Sequence, residues 1–321
     1  MRCECRWRRA GRGAVRRPAH VLGGGTCRTY LGGVERVRKI VVPVAGLGTR
    51  FWPATAALPK EMLPLVDRPV IEYGVSEAAE AGLTDLLLIT SRAKRAIEDH
   101  FDLPPEVAQA LQSRGLPLHD REALRFHFVR QNRPRGLGHA VGLAAEHVGD
   151  QPFAILLPDD VLVGPPNCLA EMVRLYQETG CPVLAVRRVP VAQVSAYGVI
   201  AAEPCGEHLY RVTDLVEKPA PEDAPSNLAV VGRYVLPPDV FGLLGEQEAG
   251  AGGEIQLTDA LRRLNRTRPF LAYEFPGRVF DTGSKLGFLQ ATVELALEHP
   301  LLGPDFSAFL AGRQQAAAPA D

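Results

Sequence analysis

The stretch Ala45-Gly46-Leu47-Gly48-Thr49-Arg50 follows the apolar run Ile40-Val41-Val42-Pro43-Val44 and precedes Pro59-Lys60-Glu61-Met62-Leu63-Pro64. Its two glycines carry no side chain that would keep the backbone away from a phosphate. Successive backbone N–H groups, together with the cations Arg50 and Lys60, supply hydrogen-bond donors for several negative charges. The stretch therefore predicts a binding site for a nucleoside triphosphate just after a strand.

Short apolar runs alternate with helical patterns after this stretch. Such alternation predicts an α/β fold: a mostly parallel, Rossmann-like sheet with helices on both faces. After about residue 190 the pattern loosens, and we expect a smaller β/α region that closes over the ligand. The predicted strands are 40–44, 85–90, 125–130, 153–157, 183–187, 197–202, 209–217 and 227–236, and the predicted helices are 70–82, 92–100, 138–147, 167–179, 256–265 and 284–298.

Composition restricts the function classes. The chain has 321 residues, 46% of them hydrophobic, and no apolar run approaches the roughly 18–20 residues of a membrane span. The net charge of −1 combines about +9 in residues 1–39 with about −10 in the remainder. An acidic body is unsuited to nucleic acid, so we expect a small phosphorylated substrate and neither nucleic acid nor a membrane as partner. The six cysteines lack metal-ligand spacing, and we interpret them as reduced thiols of a cytoplasmic protein.

We divide the chain into three parts. Residues 1–37 form a basic extension without helical periodicity or the apolar stretch of a signal peptide. We interpret it as disordered, or as the result of a start codon assigned too far upstream, with a transit peptide as a further alternative. Residues 38–300 form the folded domain, and residues 301–321 a C-terminal helix and tail.

Two common phosphate-binding motifs fail on spacing. A Rossmann dinucleotide fingerprint would need a third glycine where Phe51 stands, and a Walker loop would need Gly-Lys-Ser/Thr after four intervening residues. The motif Gly-x-Gly-Thr-Arg instead resembles the signature of the sugar-1-phosphate nucleotidyltransferases. It is followed, as in that signature, by Pro53, Thr55, Pro59-Lys60 and Leu63-Pro64. It is similar in particular to the bacterial uridylyltransferases that act on UTP and glucose 1-phosphate.

Further segments agree with that family in order, so the resemblance covers residues 38–300. The resemblance implies that the protein transfers a uridylyl group from UTP to glucose 1-phosphate with Mg²⁺ as cofactor. It also implies that the chain forms a homo-oligomer and that the smaller β/α region lies beside the sugar. The segments that agree with the family are Gln131, Gly136-Leu-Gly-His-Ala-Val141, Leu157-Pro-Asp-Asp160, Tyr197-Gly-Val-Ile200, Val216-Glu-Lys-Pro219, Gly232-Arg-Tyr234, Gly253-Glu-Ile-Gln-Leu-Thr-Asp259 and Asp281-Thr-Gly-Ser-Lys-Leu-Gly287.

The resemblance also implies residue roles. Three cations would act on the phosphates: Arg50 and Lys60 on the triphosphate, and Lys218 on the sugar phosphate. Around the uracil it implies Ala45, Gly46, Glu61, Gln131 and Gly136; Gly46 and Gly48 would donate backbone N–H groups to phosphates, and Gly198 and Glu217 would bind glucose hydroxyls.

Lysine usage is an independent indication, because the chain has 31 Arg and only five Lys, at positions 39, 60, 94, 218 and 285. An ammonium is a compact charge that suits a reacting phosphate, although the usual lysine is a solvated surface residue. Asp159 and Asp281 each follow a strand-like run, and we predict both as Mg²⁺ ligands, with helix capping as the alternative.

One departure from the family keeps other functions open. Ala56 stands where the family has a lysine after Pro-Ala-Thr, beside the triphosphate loop. The alternatives are a glucose-1-phosphate thymidylyltransferase, since thymine shares the pairing edge of uracil, and a weakly active homologue that binds sugar nucleotide and regulates a partner.

Overall fold

The structure, a computed structural model, describes residues 36–113, 123–246 and 253–317. Residues 1–35 of the predicted extension lie outside these ranges. Within them the strands are β1 Lys39–Pro43, β2 Pro64–Leu65, β3 Arg68–Pro69, β4 Asp85–Thr90, β5 Arg125–Arg130, β6 Phe153–Leu156, β7 Asp160–Val163, β8 Val183–Arg188, β9 Gly198–Gly206, β10 Leu209–Glu217, β11 Leu228–Leu236, β12 Leu271–Glu274 and β13 Arg278–Asp281.

The α-helices within the same ranges are α1 Val70–Glu80, α2 Arg95–Phe101, α3 Pro105–Ser113, α4 Leu137–Gly142, α5 Ala145–Val148, α6 Cys168–Thr179, α7 Val240–Gly245, α8 Leu257–Asn265, α9 Lys285–Glu298 and α10 Gly303–Ala317. Short 3-10 turns at Thr49–Phe51 and Lys60–Met62 lie in the long loop after β1.

The main sheet has the strand order β5-β4-β1-β6-β11-β8-β12-β10-β9. Its first four strands are parallel neighbours. Antiparallel pairs predominate in the second half, where β11 pairs with both β6 and β8, and β10 with β12 and β9. The predicted α/β class is confirmed; the sheet is mixed, with most of its parallel pairing in the amino-terminal half.

Strand β1 illustrates why this sheet has helices on both faces. Successive side chains of a strand point to opposite faces: Ile40 and Val42 belong to one hydrophobic core, and Val41 to the other. The first core lies under α1 and α6, and the second under α4 and α8. A strand buried on both sides is the expected pattern for the parallel part of such a sheet.

The predicted elements differ from the structure in a few places. The single helix predicted at 138–147 is wrong: the segment forms α4 and α5, because the Ala144 N–H bonds to Val141 O, three residues back, and tightens the chain between them. The sequence analysis also missed β7, β12, α3 and α7.

The carboxyl ends of β1, β4, β5 and β6 meet at one edge of the sheet, because these strands are parallel. Open α/β sheets bind ligands at this edge. The loop after β1, the Gln131–Gly136 segment after β5 and the Leu157–Asp159 turn after β6 all lie there. None of the helices in the described ranges is both long and apolar enough to cross a bilayer.

Candidate active site

The loop after β1 supplies one wall of the site. Gly48 has a φ of 67°, a left-handed conformation that favours glycine, and the Thr55 hydroxyl donates to its carbonyl at 2.9 Å. A Cβ atom at Gly46 would meet no protein atom within 4 Å, so the space above this residue is open. The loop therefore presents bare backbone to a cavity, as the sequence analysis predicted for a phosphate site.

A cavity of about 430 Å³ lies beside this loop. Its wall comes from the carboxyl ends of the parallel strands and from the start of α4. Eight of the thirteen predicted site residues line it: Ala45, Gly46, Gly48, Lys60, Glu61, Gln131, Gly136 and Asp159.

Lys60 and Asp159 form an ion pair at the cavity wall, with 2.5 Å between Lys60 Nζ and Asp159 Oδ2. Burial works to lower the pKa of the Lys60 ammonium, but the carboxylates of Asp159 and Glu61 raise it overall. Burial works to raise the pKa of Asp159, but Lys60 and, more weakly, the exposed Arg50 lower it overall. Both groups are therefore ionised at neutral pH, and Arg50 belongs to the same charge cluster.

Asp281 lies close to Asp159. The antiparallel pair β7–β13 sets Asp281 opposite Asp160, and the Thr282 N–H donates to Asp159 O at 2.7 Å. A Cβ atom at Gly283 would lie 2.9 Å from Asp159 Oδ2 and 3.0 Å from Asp281 Oδ1, so the two carboxylates approach one point. Asp281 does not cap α9, which was the alternative to metal binding. The N-cap is Ser284, whose side-chain oxygen accepts a hydrogen bond from the Gly287 N–H.

Asp160 is a third carboxylate in this cluster, and the sequence analysis did not assign it a role. Its Oδ2 accepts the Gly232 N–H at 2.8 Å. Burial, followed by the charge of Asp159, raises the pKa of Asp160 to about 6. The charges of Asp159 and Asp281 therefore act on Asp160, and the carboxylate oxygens of Asp159 and Asp281 that approach one point are of the kind that suits a hard dication.

Arg233, which is 1% exposed, holds the turn that carries Asp159. Its guanidinium donates to Leu157 O and Asp160 O at 2.9 Å each, and pairs with the Glu77 carboxylate at 2.8 Å. The sequence analysis quoted Gly232-Arg233-Tyr234 without giving the arginine a role. No signal in the sequence could have found it, because the contact depends on β11 lying beside β6.

Gln131 lines the cavity and contacts His139. Gln131 Nε2 is 2.8 Å from His139 Nδ1 and 3.3 Å from Gly136 O. Burial and the nearby Arg135 lower the pKa of His139, so its neutral ring accepts the amide proton. At Gly136, with a φ of 95°, a Cβ atom would lie 2.7 Å from Ile255 O. Only glycine fits where this wall approaches the second half of the chain.

Glu61 lines the cavity, but its carboxylate is engaged by Lys94 at 2.7 Å, and both side chains are buried. Lys94 is one of the five lysines, and the sequence analysis gave it no role. The scarcity of lysine was the signal that could have identified it.

Gly198, Glu217 and Lys218 form a second group on β9 and β10. Glu217 pairs in register with Gly198 and accepts the Thr258 hydroxyl at 2.6 Å. Lys218 has a φ of 46°, unusual for a residue with a side chain; its N–H donates to Tyr197 O, and its Nζ lies 3.4 Å from Glu217 Oε1.

Tyr234 is close enough to both this group and the carboxylates for their charges to act on its phenol. Burial, followed by the charges of Glu217, Asp160 and Asp159, raises the pKa of its phenol well above the usual value.

Five predicted site residues lie outside the wall of the first cavity, namely Arg50, Gly198, Glu217, Lys218 and Asp281. Of these, Asp281 lines a second cavity of about 410 Å³ together with Arg187 and Tyr197.

Known proteins resemble the chain in sequence and in fold. The sequence model described as "Nucleotidyl transferase" matches residues 39–298. The UTP–glucose-1-phosphate uridylyltransferase of Bacillus subtilis (strain 168) is 45% identical over 285 residues, which cover 87% of this chain and 98% of the relative.

Solved structures resemble the chain as well. A UDP-glucose pyrophosphorylase complexed with UDP-glucose is 43% identical, with a TM-score of 0.76 over 82% of this chain and 100% of that one. A UTP-bound UGPase from Acinetobacter baumannii is 39% identical, with a TM-score of 0.77 over 86% and 99% of the two chains. A putative glucose-1-phosphate thymidylyltransferase from Bacillus anthracis, 22% identical over 80% and 94% of the two chains with a TM-score of 0.63, shares the fold alone.

Proposed function

Because the chain belongs to the nucleotidyl transferase family, we propose that it transfers a uridylyl group from UTP to glucose 1-phosphate, giving UDP-glucose and pyrophosphate. An oxygen of the sugar phosphate attacks the α-phosphorus and forms the new P–O bond. The bond from the α-phosphorus to the bridging oxygen breaks, and pyrophosphate leaves with the electron pair. The observation that carries this proposal is the convergence of Lys60, Asp159 and the glycine loop on one cavity.

The reaction needs neither a protein nucleophile nor a general base, since a phosphate monoester with a second pKa near 6 is already mostly ionised at neutral pH. The triphosphate of UTP and the phosphate of glucose 1-phosphate are both anions, however, and they must approach each other against their mutual repulsion. The protein's contribution is to neutralise their charge and to align the attacking and leaving oxygens. In this role Arg50, Lys60 and the N–H groups of Gly46 and Gly48 hold the triphosphate.

The base and the sugar occupy opposite ends of the site in this proposal. Gln131 faces the uracil, with Ala45, Gly136 and Glu61 around it, and the His139 contact holds its amide in one orientation. Lys218 holds the incoming sugar phosphate.

Glu217 and the backbone of Gly198 bind glucose hydroxyls. The φ of 46° at Lys218 supports a functional role, because backbone in sparsely populated regions collects at ligand-binding sites.

The carboxylates fit Mg²⁺. Asp159 Oδ2 and Asp281 Oδ1 face one point beside Gly283, and burial, followed by the charge of Asp159, raises the pKa of Asp160. We propose that Asp159 and Asp281 hold the ion, which prefers one or two protein carboxylates and keeps several waters. When bound, Mg²⁺ neutralises charge on the phosphates. Lys60 remains beside Asp159 to stabilise the negative charge on the departing pyrophosphate.

Ala56 is exposed in the turn after Arg50, and it bears on the alternative of a weakly active regulator. The lost lysine would have lain in solvent, where one charge contributes about 1 kcal/mol or less. Nucleotide affinity would fall only a few-fold. The partly buried Lys60–Asp159 pair is intact, which favours an active enzyme over a regulator.

A nucleotide panel tests the proposal. Pyrophosphate release is measured with Mg²⁺, glucose 1-phosphate and each of UTP, dTTP, ATP, CTP and GTP in turn. We expect turnover with UTP at least about tenfold above dTTP, a factor that corresponds to 1.4 kcal/mol. Equal or faster turnover with dTTP would make the chain a thymidylyltransferase, and no turnover with any nucleotide would make it a regulator.

We further propose that residues 38–300 are the catalytic domain and that the chain forms a homo-oligomer. Exposed apolar side chains on one face of α9, Leu286, Leu289 and Val293, support an interface between copies. Light scattering of the chain with and without Leu289→Glu tests the oligomer, and full turnover of a chain lacking residues 1–37 tests the domain boundary.

We also propose a cytoplasmic location. Cys168 is a buried free thiol, and reduced cysteines are usual in that compartment. Cell fractionation followed by detection of the chain tests this location.

A further inference from the structure

A cluster of one carboxylate and two imidazoles lies at the amino end of the parallel strands, away from the proposed catalytic site. Asp85 is the first residue of β4, whose last residue, Thr90, is at the catalytic edge. A strand of six residues spans about 17 Å. His127 on β5 and His147 on α5 complete the cluster.

The geometry brings three metal-type donor atoms together. Asp85 Oδ1 lies 2.8 Å from His147 Nε2 and 3.5 Å from His127 Nε2, and one donor atom from each residue lies within 4.8 Å of the others. The ligand atoms of a tetrahedral zinc ion, at about 2.0–2.1 Å from the metal, are roughly 3.3 Å apart. The 3.5 Å between Asp85 Oδ1 and His127 Nε2 is close to that spacing, and the 2.8 Å between Asp85 Oδ1 and His147 Nε2 is somewhat shorter.

The backbone that carries His147 is held in place. Lys39 Nζ donates to His147 O at 2.6 Å and to Val148 O at 3.2 Å, at the end of α5. Because the ammonium of Lys39 donates to these carbonyls, which are not metal ligands of the cluster, its positive charge is partly neutralised there and repels a bound cation less. On the other side, Arg125 is paired in register with Asp85, and its side chain is exposed to solvent, which screens it.

The donor set indicates the class of metal. Neutral imidazole is a preferred ligand of zinc, copper and nickel, whereas magnesium and calcium prefer oxygen ligands alone. Two imidazoles and one carboxylate leave a fourth position for water, which suits Zn²⁺.

We propose that Asp85, His127 and His147 form a binding site for a transition dication of the zinc class. The bound ion ties β4, β5 and α5 together at the edge of the sheet opposite the catalytic cavity. It takes no part in the transfer reaction. This site does not depend on the proposed function.

The test uses the full chain, freed of metal with a chelator. Thermal unfolding is measured with and without Zn²⁺ in excess, and direct binding is measured by calorimetry. A ligand at about 100 times its Kd stabilises the folded state enough to raise the Tm by about 5 °C. We expect this rise with Zn²⁺, and we expect Mg²⁺ to give none that depends on these histidines.

Variants separate this cluster from other metal-binding groups of the chain, including the cysteines. His127→Gln and His147→Gln should each weaken Zn²⁺ binding at the cluster by at least about tenfold and remove the Tm rise. His299→Gln is the matched control, because His299 also contacts a carboxylate, Asp67 at 3.1 Å, but has no second imidazole in its described contacts. It should bind Zn²⁺ as the wild type does.

Cobalt gives a second readout. Co²⁺ bound by imidazole and carboxylate shows d–d bands without the thiolate charge-transfer band of a cysteine site. The proposal is overturned if His127→Gln and His147→Gln bind Zn²⁺ with the affinity and stoichiometry of His299→Gln, or if the wild type binds none. Far-UV circular dichroism of the half-exposed His127→Gln variant shows that a loss of binding is not a loss of fold.

Discussion

Lys60 Nζ lies 2.5 Å from Asp159 Oδ2, although the two residues come from different loops. Lys60 follows β1 and Asp159 follows β6, and these strands are parallel neighbours. The sheet therefore brings the two loops to one edge and fixes the pair. The pKa of Lys60 is raised and that of Asp159 is lowered, so the pair carries both charges at neutral pH.

Asp159→Asn keeps the shape of this pair and removes its negative charge. We expect kcat to fall by about 10²–10³-fold, the cost of losing one preorganised electrostatic contact in a catalytic site. Thermal unfolding should still be cooperative, which separates lost chemistry from lost fold. Asp150→Asn, at an exposed position just before β6, is the control and should keep wild-type turnover; wild-type turnover in Asp159→Asn would refute its role.

Lys218→Ala tests the sugar-phosphate side. The side chain is more than half exposed, so its removal leaves the fold intact. We expect turnover to fall by about 10²-fold and the KM for glucose 1-phosphate to rise, because alignment of the attacking phosphate is lost. The KM for UTP should change little. Glu222→Ala, an exposed neighbour in the following loop, should behave as wild type, and an unchanged Lys218→Ala would exclude the assignment.

Arg233→Met tests the support of the turn that carries Asp159. Removing the cation leaves the largely buried Glu77 carboxylate without its ion-pair partner, which costs about 3–5 kcal/mol of unfolding free energy in urea denaturation. Combining it with Glu77→Leu should recover part of the stability, since no charge is then stranded. Turnover should stay low in the double variant, because Leu157 O and Asp160 O have lost their donor. A loss below about 1 kcal/mol in Arg233→Met would contradict this role.

His139→Leu tests the orientation of Gln131. The neutral ring accepts from the Gln131 amide, and losing that bond should raise the KM for UTP by about fivefold, equivalent to roughly 1 kcal/mol, with kcat nearly unchanged.

The pKa of His139 is lowered from 6.5, so the accepting neutral form persists to below that pH and is lost only in more acid solution. In wild type the KM for UTP should therefore be constant from pH 7 to 9 and rise below the lowered pKa. His139→Asn, whose acceptor does not titrate, should lack that rise, and an identical acid rise in both proteins would exclude His139 as its source.

The sequence predicted the parts of the site that depend on local rules. The glycine loop, Lys60 and Asp159 each follow an apolar strand, and parallel strands bring their carboxyl ends to one edge. Asp281 was predicted on the same reasoning, but its place beside Asp159 comes from the β7–β13 pair, and the sequence analysis did not predict β7.

Other features depend on contacts between distant segments. Arg233 reaches the Asp159 turn because antiparallel β11 lies beside β6, a pairing that no local pattern specifies. The break between α4 and α5 depends on one tightened hydrogen bond in a segment whose apolar periodicity is continuous. Lys94 pairs with Glu61 across the fold, and only its rarity as a lysine distinguishes it in the sequence.

The central claim is direct transfer of the uridylyl group between two bound anions, without a covalent enzyme intermediate. The most direct measurement is the configuration at the α-phosphorus after reaction of one diastereomer of α-thio-UTP with glucose 1-phosphate. A single in-line displacement predicts inversion in the UDP-glucose analogue formed. Retention would mean two successive displacements through a protein nucleophile, and would contradict the account.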